Sequence, residues 1–299
     1  MAGIQMNRTA AGVVLPKELS SDIWADAQNA SAVMRFANRI ELPGAGLQIP
    51  MITGDPAASW VNETDEIAVG ESTLSSKSIT GYKLGVIEVF SNEFRRDLPG
   101  LYAELARRLP GALATKFDST VFHATTAPGA DFDLLSAADP LTLDATNTYD
   151  DIVAIDAAVA AANGNLNGYV LAPKARGTLL SAKDTTGRPL LINDIQRQGG
   201  VSQLLGVDVA LSTAVYKADA AGDDGEVIGF AGDWSNAYYG VVEGIEVAIS
   251  NEATVNKGGT QVNLFQRDMF ALKATVHLGF AVRDLSKFVK ITSGVDAIA

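Results

Sequence analysis

The chain has 299 residues with 23 basic and 35 acidic side chains, a formal net charge of −12, and this balance excludes a protein that coats nucleic acid through clustered Lys and Arg. Its 47% hydrophobic content supports a sizeable core and excludes an acidic disordered tail. With no cysteine and two histidines, His123 and His277, it has no disulfides, thiolate nucleophiles, zinc ribbons or iron–sulfur sites and no stock for a His-based metal cage.

Met1 to Pro16 shows no clear period and reads as an extended arm. It lacks the apolar h-region and small-residue cleavage site of a secretory signal, so the chain is expected to stay where it is synthesised. From Pro16 to Arg39, Ile23, Trp24, Ala27, Ala30, Val33, Met34 and Ala37 recur at helical steps, with Ser20 or Ser21 as N-cap. Arg39 to Thr53 reads as a strand broken by Pro43-Gly44 and Pro50, which are edge or loop features.

Gly54 to Gly85 is rich in Ser, Thr, Glu, Asp and Gly, and its apolar residues are sparse: Trp60, Val61, Ile67, Val69, Leu74, Ile79, Tyr82 and Leu84. Alternation over Lys77 to Val89, with a turn at Gly70-Glu71, predicts a long two-stranded ribbon. A lone hairpin has too little apolar face to offset its ordering entropy. Either the ribbon is disordered or it lies on a surface that its own chain does not supply. The second reading is favoured, because Trp60 and Tyr82 would otherwise be left in solvent.

A long helix follows from Leu98 to Thr125, ~42 Å at 1.5 Å per residue. Asp97 is its expected cap and Pro99 lies in its first turn. Leu101, Tyr102, Leu105, Leu109, Ala112, Leu113, Phe117 and Val121 form its apolar stripe, and Glu104 pairs with Arg108 on another face. Pro110 removes the bond to the Ala106 carbonyl, so a bend is expected there.

Ala130 to Asn147 is a connector, and Tyr149 to Ala162 a helix capped by Thr148 or Asp150 and ended by Asn163-Gly164. The longest run free of Asp, Glu, Lys and Arg, Ala157 to Pro173, is broken by three asparagines and falls short of the ~20 apolar residues of a spanning helix. Tyr169 to Ala172 is a short strand, and Pro173 opens a helix to about Lys183. Strands follow at Val207 to Leu211, Glu226 to Ala231, Ala237 to Val242 and Ile245 to Ile249, so Thr148 to Gly240 alternates helix and strand like an α/β unit. Phe270 to Arg283 has strict period two, a half-buried strand of roughly 40 Å. A helix and a strand of matching length predict an elongated platform with the helix laid along the sheet.

Chemistry-bearing patterns fail on residues. Gly44-Ala45-Gly46 lacks the third glycine of a dinucleotide loop, and no Gly-Lys dipeptide exists to form a P-loop, nor any Gly-x-Ser-x-Gly elbow. His123 falls near the end of the long helix as a helix-end cation, and His277 on the polar face of the long strand. Asp150-Asp151 occupies a helix first turn, and Asp65-Glu66 and Asp223-Asp224 lie in polar loops without EF-hand spacing. Arg95, Arg96, Arg107 and Arg108 are doublets rather than a stripe and read as helix surface charges or subunit contacts. No catalytic residue, metal ligand or cofactor site is assigned.

The order of elements resembles tailed-bacteriophage major capsid proteins of the Hong Kong 97 type. Leu47-Gln-Ile-Pro-Met51 followed by Ala58-Ser-Trp-Val-Asn-Glu63 is similar to the entry into that family's extended E-loop. Phe230-Ala-Gly-Asp-Trp-Ser235, Ala237-Tyr-Tyr-Gly240 and Gly244-Ile-Glu-Val-Ala-Ile-Ser250 resemble the stretch returning to its peripheral domain. Asp184-Thr-Thr-Gly-Arg-Pro-Leu-Leu191 and Leu205-Gly-Val-Asp-Val209 resemble its axial-domain segment.

The resemblance implies an α+β fold with an N-terminal arm and helix (1–38), an E-loop (54–88), a peripheral domain (39–53, 89–147 and 241–299, spine helix 97–125) and an α/β axial domain (148–240). It implies a shell protein forming pentamers and hexamers around phage double-stranded DNA in a virion assembled in the host bacterial cytoplasm. Trp60, Val61, Lys77, Ile79, Tyr82 and Lys83 are the expected inter-subunit contacts of the E-loop, and Pro110 the expected spine-helix bend. An acidic lining suits a container that must not adsorb the DNA it encloses.

Fewer than forty residues precede the first strand, which implies a separate scaffolding protein and no large N-terminal cleavage, with a portal and a possible decoration protein as further partners. Lys77 or Lys83 with Asn256 or Asn263 are the position-appropriate candidates for the covalent cross-links some relatives make. An encapsulin-like compartment is the structural alternative. An acidic α/β hydrolase or binding protein is the alternative from another class.

Overall fold

The computed structural model describes residues 31–44, 46–54, 60–61, 69, 73–93, 99–144, 147–181, 203–218 and 225–293. The arm and most of the helix expected over 16–39 lie outside the described residues. What is described is its end, a short helix α1 (Ala32–Phe36) capped by Ser31, whose hydroxyl accepts from the Met34 amide at 3.1 Å. Strands β1 (Asn38–Glu41), β2 (Leu47–Gly54), β3 (Thr73–Ile79) and β4 (Tyr82–Ser91) follow. The spine helix α2 (Pro99–His123) runs unbroken through Pro110, and Asp97 lies outside the described residues.

The chain then forms β5 (Asp139–Leu143), α3 (Thr148–Ala161), β6 (Gly168–Leu171), α4 (Pro173–Ser181), β7 (Gln203–Leu204) and β8 (Val207–Leu211). It closes with β9 (Val227–Gly232), β10 (Ala237–Val241), β11 (Glu246–Ser250), β12 (Thr254–Lys257), β13 (Thr260–Asn263), β14 (Met269–Val282) and β15 (Phe288–Ser293).

The period-two run becomes β14, the axis of a five-stranded platform sheet ordered β1-β10-β14-β11, with β4 on the other edge of β14. One edge of β14 pairs with β10 (Ala237 opposite Val282) and then β11 (Glu246 opposite Thr275). The other pairs with β4 from Tyr82 opposite Leu278 to Ser91 opposite Met269. Leu272, Ala274, Val276, Leu278, Phe280 and Val282 share one core with Leu113, Phe117, Val121 and Phe122 of α2, so the helix lies on this face. The second face, expected to be solvated, is instead covered at both ends. Ala271 is buried with Val262 and Leu264 under the β12–β13 hairpin, and Ala281 with Leu42 and Ile79 near the start of β2. Lys273 and His277 stay partly exposed between them.

A six-stranded sheet, ordered β5-β15-β9-β6-β8-β7, forms the second unit. Strands β6 and β9 are buried at every position, which is why they read as continuous apolar runs without alternation. Ile152, Ile155 and Val159 of α3 and Ala175 and Leu179 of α4 cover one face, while Val170, Phe230 and Phe288 on the other join the core of α2. β5 and β15 come from outside 148–240, and β10 from within it belongs to the platform. The two sheets therefore interleave along the chain more than the expected bounds imply.

Phe230 to Ser235 is the joint between the sheets. At Gly232 a Cβ would lie 2.6 Å from the Lys287 carbonyl oxygen, so only glycine lets β9 approach β15 there. The Asp233 carboxylate accepts from the Asn165 and Ser235 amides and from the Asn236 side chain. Trp234, 1% exposed, donates Nε1–H to the Gly168 carbonyl at 3.0 Å. Its ring stacks on Phe36 and meets Phe288 edge-on, fastening α1, β6 and β15 to one aromatic group.

Candidate functional site

β2 and β3 pair antiparallel from Leu47 opposite Ile79 to Gly54 opposite Thr73. They form a two-stranded ribbon that takes no third strand among the described residues. Pro50, opposite Ser76, is tolerated because an outer strand has no further ladder to donate to. The ribbon starts at Leu47, and by Tyr82 the chain has already joined the platform. Residues 82–88, expected in the hairpin, therefore stand in the sheet.

Beyond the paired strands Trp60 is 105% exposed and Val69 92%. Val61 is also exposed. A tryptophan this exposed has the character of a contact residue awaiting a partner surface.

The other expected contact residues divide. Lys83 is exposed on β4, opposite His277. Ile79 is fully buried with Leu42 and Ala281, so it is a residue of the ribbon's own root. Tyr82 is seated on its own chain as well, which corrects the expectation that it requires a foreign surface. Its ring meets Phe132 edge-on, its hydroxyl accepts from the Asp131 amide at 3.2 Å, and it packs where a Cβ on Gly129 would lie 2.2 Å away. Lys77 Nζ lies 2.9 Å from Asp133 Oδ1 of the same chain. The Gly70-Glu71 turn lies outside the described residues.

Further exposed apolar side chains went unread in the sequence: Ile87 on the platform, Phe265 beside the β12–β13 hairpin, and Tyr149 and Val153 on α3. For the last two a signal was present. Thr148 to Ala161 is apolar almost all round, the pattern of a helix covered on both sides.

Two ionisable groups on α2 are set by burial. Asp118, 0% exposed, accepts from the Ser31 hydroxyl at 2.5 Å and the Ala32 amide at 2.7 Å. Burial pushes its carboxyl up to about 6, against the lowering effect of those hydrogen bonds. His123, at the helix end, is held below its ordinary value chiefly by burial, with the nearby Lys217 charge adding to it. The neutral imidazole is thereby favoured, which corrects the expectation of a helix-end cation.

Of the carboxylate pairs, Asp150-Asp151 is the one among the described residues. Asp151 accepts from the Asp144 amide in the first turn of α3; Asp65-Glu66 and Asp223-Asp224 lie outside the described residues. A recess of about 460 Å³ beside β1 is lined by Arg39, Glu41, Pro43 and Glu243 among others, and Arg39 and Glu41 lie 3.7 Å apart. Among the described residues no helix is long and apolar enough to cross a membrane.

A spine helix on a long-stranded sheet, an interleaved second sheet and a ribbon that among the described residues is exposed beyond its root define a subunit built to be completed by others: a viral shell protein fold. Solved structures share it. A chain from Gordonia phage Cozz matches with a TM-score of 0.73 at 21% identity, over 89% of this chain and 87% of that one. One from Mycobacterium phage Adephagia gives 0.72 at 20%, over 90% and 91%, and the capsid of a native GTA particle 0.66 at 15%, over 98% and 96%. These likenesses establish the Hong-Kong-97-like α+β capsid fold.

The phage capsid family model matches residues 11–293, and the chain belongs to that family. The probable major capsid protein of Mycobacterium phage L5 is 31% identical over 95% of this chain and 90% of its own length. That of Mycobacterium phage D29 is 28% identical over 94% and 90%.

Proposed function

We propose that this chain is the major capsid protein of a tailed bacteriophage, assembling as pentamers and hexamers into the icosahedral head shell that encloses double-stranded DNA. The observation that carries the reading is Trp60, wholly exposed beyond a ribbon that, among the described residues, is buried at its root. Family membership and the capsid proteins it resembles support the same conclusion and favour it over an encapsulin-like compartment. The shell is part of the virion and is built in the host bacterial cytoplasm with a separate scaffolding protein and a portal; a decoration protein is a further candidate partner. Its strength comes from many non-covalent contacts per subunit, so that losing one leaves the others holding it. Pro110 is the place where α2 bends as the shell expands.

The test is Trp60→Ala, made in the full chain and co-expressed with its scaffolding protein. Urea unfolding of the unassembled chain is expected to stay within ~0.5 kcal/mol of wild type, as for an exposed residue. Removing a buried interface tryptophan costs about 2 kcal/mol or more at each contact, so shell yield by sedimentation and negative-stain microscopy falls sharply. Shells at wild-type yield from Trp60→Ala, or a wild type that stays monomeric, would overturn the reading.

A further inference from the structure

We infer that Lys77 and Asp133 form a clamp holding the ribbon at one angle to the platform, and that this angle is what presents the ribbon tip to a neighbouring copy. The inference rests on the reading that the tip contacts a neighbour. It assigns Lys77 a positioning role inside its own chain in place of the inter-subunit contact expected from the sequence.

Asp133 is itself fixed. Its amide donates to the Phe280 carbonyl at 3.0 Å, and its Oδ2 accepts from the Val282 amide at 2.8 Å, so both its backbone and its carboxylate are tied to β14. Oδ1 is left to meet Lys77 Nζ at 2.9 Å. The same loop grips the root twice more. Thr80 donates its hydroxyl to Asp131 Oδ2 at 3.1 Å, and the Tyr82 hydroxyl accepts from the Asp131 amide. Beneath these contacts Gly279 admits no side chain, since a Cβ there would lie 2.5 Å from the Thr80 carbonyl oxygen. Lys77 is the outermost polar tie between ribbon and platform among the described residues.

The ribbon acts as a lever beyond that tie. From Ile49, which faces Lys77 across the ribbon, to Gly54 is ~17 Å at about 3.4 Å per residue. A rotation of about 10° at the root then moves Gly54 by ~3 Å, comparable with the 4.0–4.5 Å reach of an apolar contact, and the tip moves further. Loosening the clamp should therefore scatter the tip without unfolding the subunit.

The chain has no cysteine, so Ser75→Cys on the ribbon and Ser250→Cys on the platform, both exposed sites, can carry spin labels for distance measurement in the unassembled full chain. With Lys77 present the distance distribution should be narrow. Lys77→Met should broaden it at least twofold, Lys77→Arg should restore it, and the yield of regular shells with scaffolding protein should follow the width, dropping at least fivefold in Lys77→Met. An unchanged width in Lys77→Met overturns the clamp. Broadening with wild-type shell yield and diameter overturns its role in assembly. Failure of the underlying reading is recognised separately: Trp60→Ala, with Lys77 intact, would then assemble normally.

Discussion

Asp118 offers a sharp quantitative test, because its buried carboxylate pairs with no cation among the described residues. Its pKa is about 6 in the folded chain against an ordinary 3.8. The folded state therefore binds the proton more tightly than the unfolded one. The resulting stabilisation is fully present below about pH 4 and is lost as pH rises through 6. The full span is about 3 kcal/mol. Measurement should begin at pH 5, just above the sequence pI of about 4.6, which leaves roughly 1.4 kcal/mol to be lost between pH 5 and 8. Asp118→Asn removes the titration and keeps a polar group that can accept from Ala32 and donate to Ser31. Urea unfolding of both unassembled chains at pH 5, 6, 7 and 8 should show wild type losing ~1.4 kcal/mol relative to Asp118→Asn across the range. A difference that stays flat would mean that the carboxylate ionises as in water, and the account of how α1 is tied to the spine helix would fail.

Trp234→Ala should destabilise the unassembled chain by about 3–5 kcal/mol, the cost of removing a large buried aromatic. Loss of Trp234 also leaves the Gly168 carbonyl without its indole donor, so urea unfolding should reveal a lower midpoint; a shift under ~1 kcal/mol would refute the joint between the sheets. Pro110→Ala restores an N–H inside α2, where an interior proline costs about 3 kcal/mol relative to alanine. The unassembled chain should gain part of that, and particles should change their expansion when followed by light scattering; unaltered expansion would remove the bend from the proposal.

The ribbon was legible because Gly54 to Gly85 carries few apolar residues, and those that do pack on their own chain, Ile79 and Tyr82 among them, lie at its C-terminal end. Its bounds were not. Lys77 to Val89 alternates throughout, yet β3 ends at Ile79 and β4 starts at Tyr82, two strands with different partners. Period two reports that a segment is extended and says nothing of which strand lies beside it. Asp118 was hidden for a similar reason. It lies next to Phe117 of the apolar stripe, and nothing local marks it as buried until Ser31, 87 residues away, is brought onto it. The same folding turned His123 from an expected cation into a group for which burial favours the neutral form.

By itself the sequence determined the composition that excludes disulfide and thiolate chemistry, the long helix and its matching long strand, and a ribbon with an aromatic residue near its tip. These follow from side-chain inventory and local period, which covalent geometry imposes on each segment separately. Tertiary structure alone decided that β5 and β15 complete the second sheet, that the polar face of β14 is covered at both ends, and that Lys77 and Tyr82 turn toward their own chain. Such choices depend on contacts between residues far apart in the chain, whose free energy is set only when the segments meet.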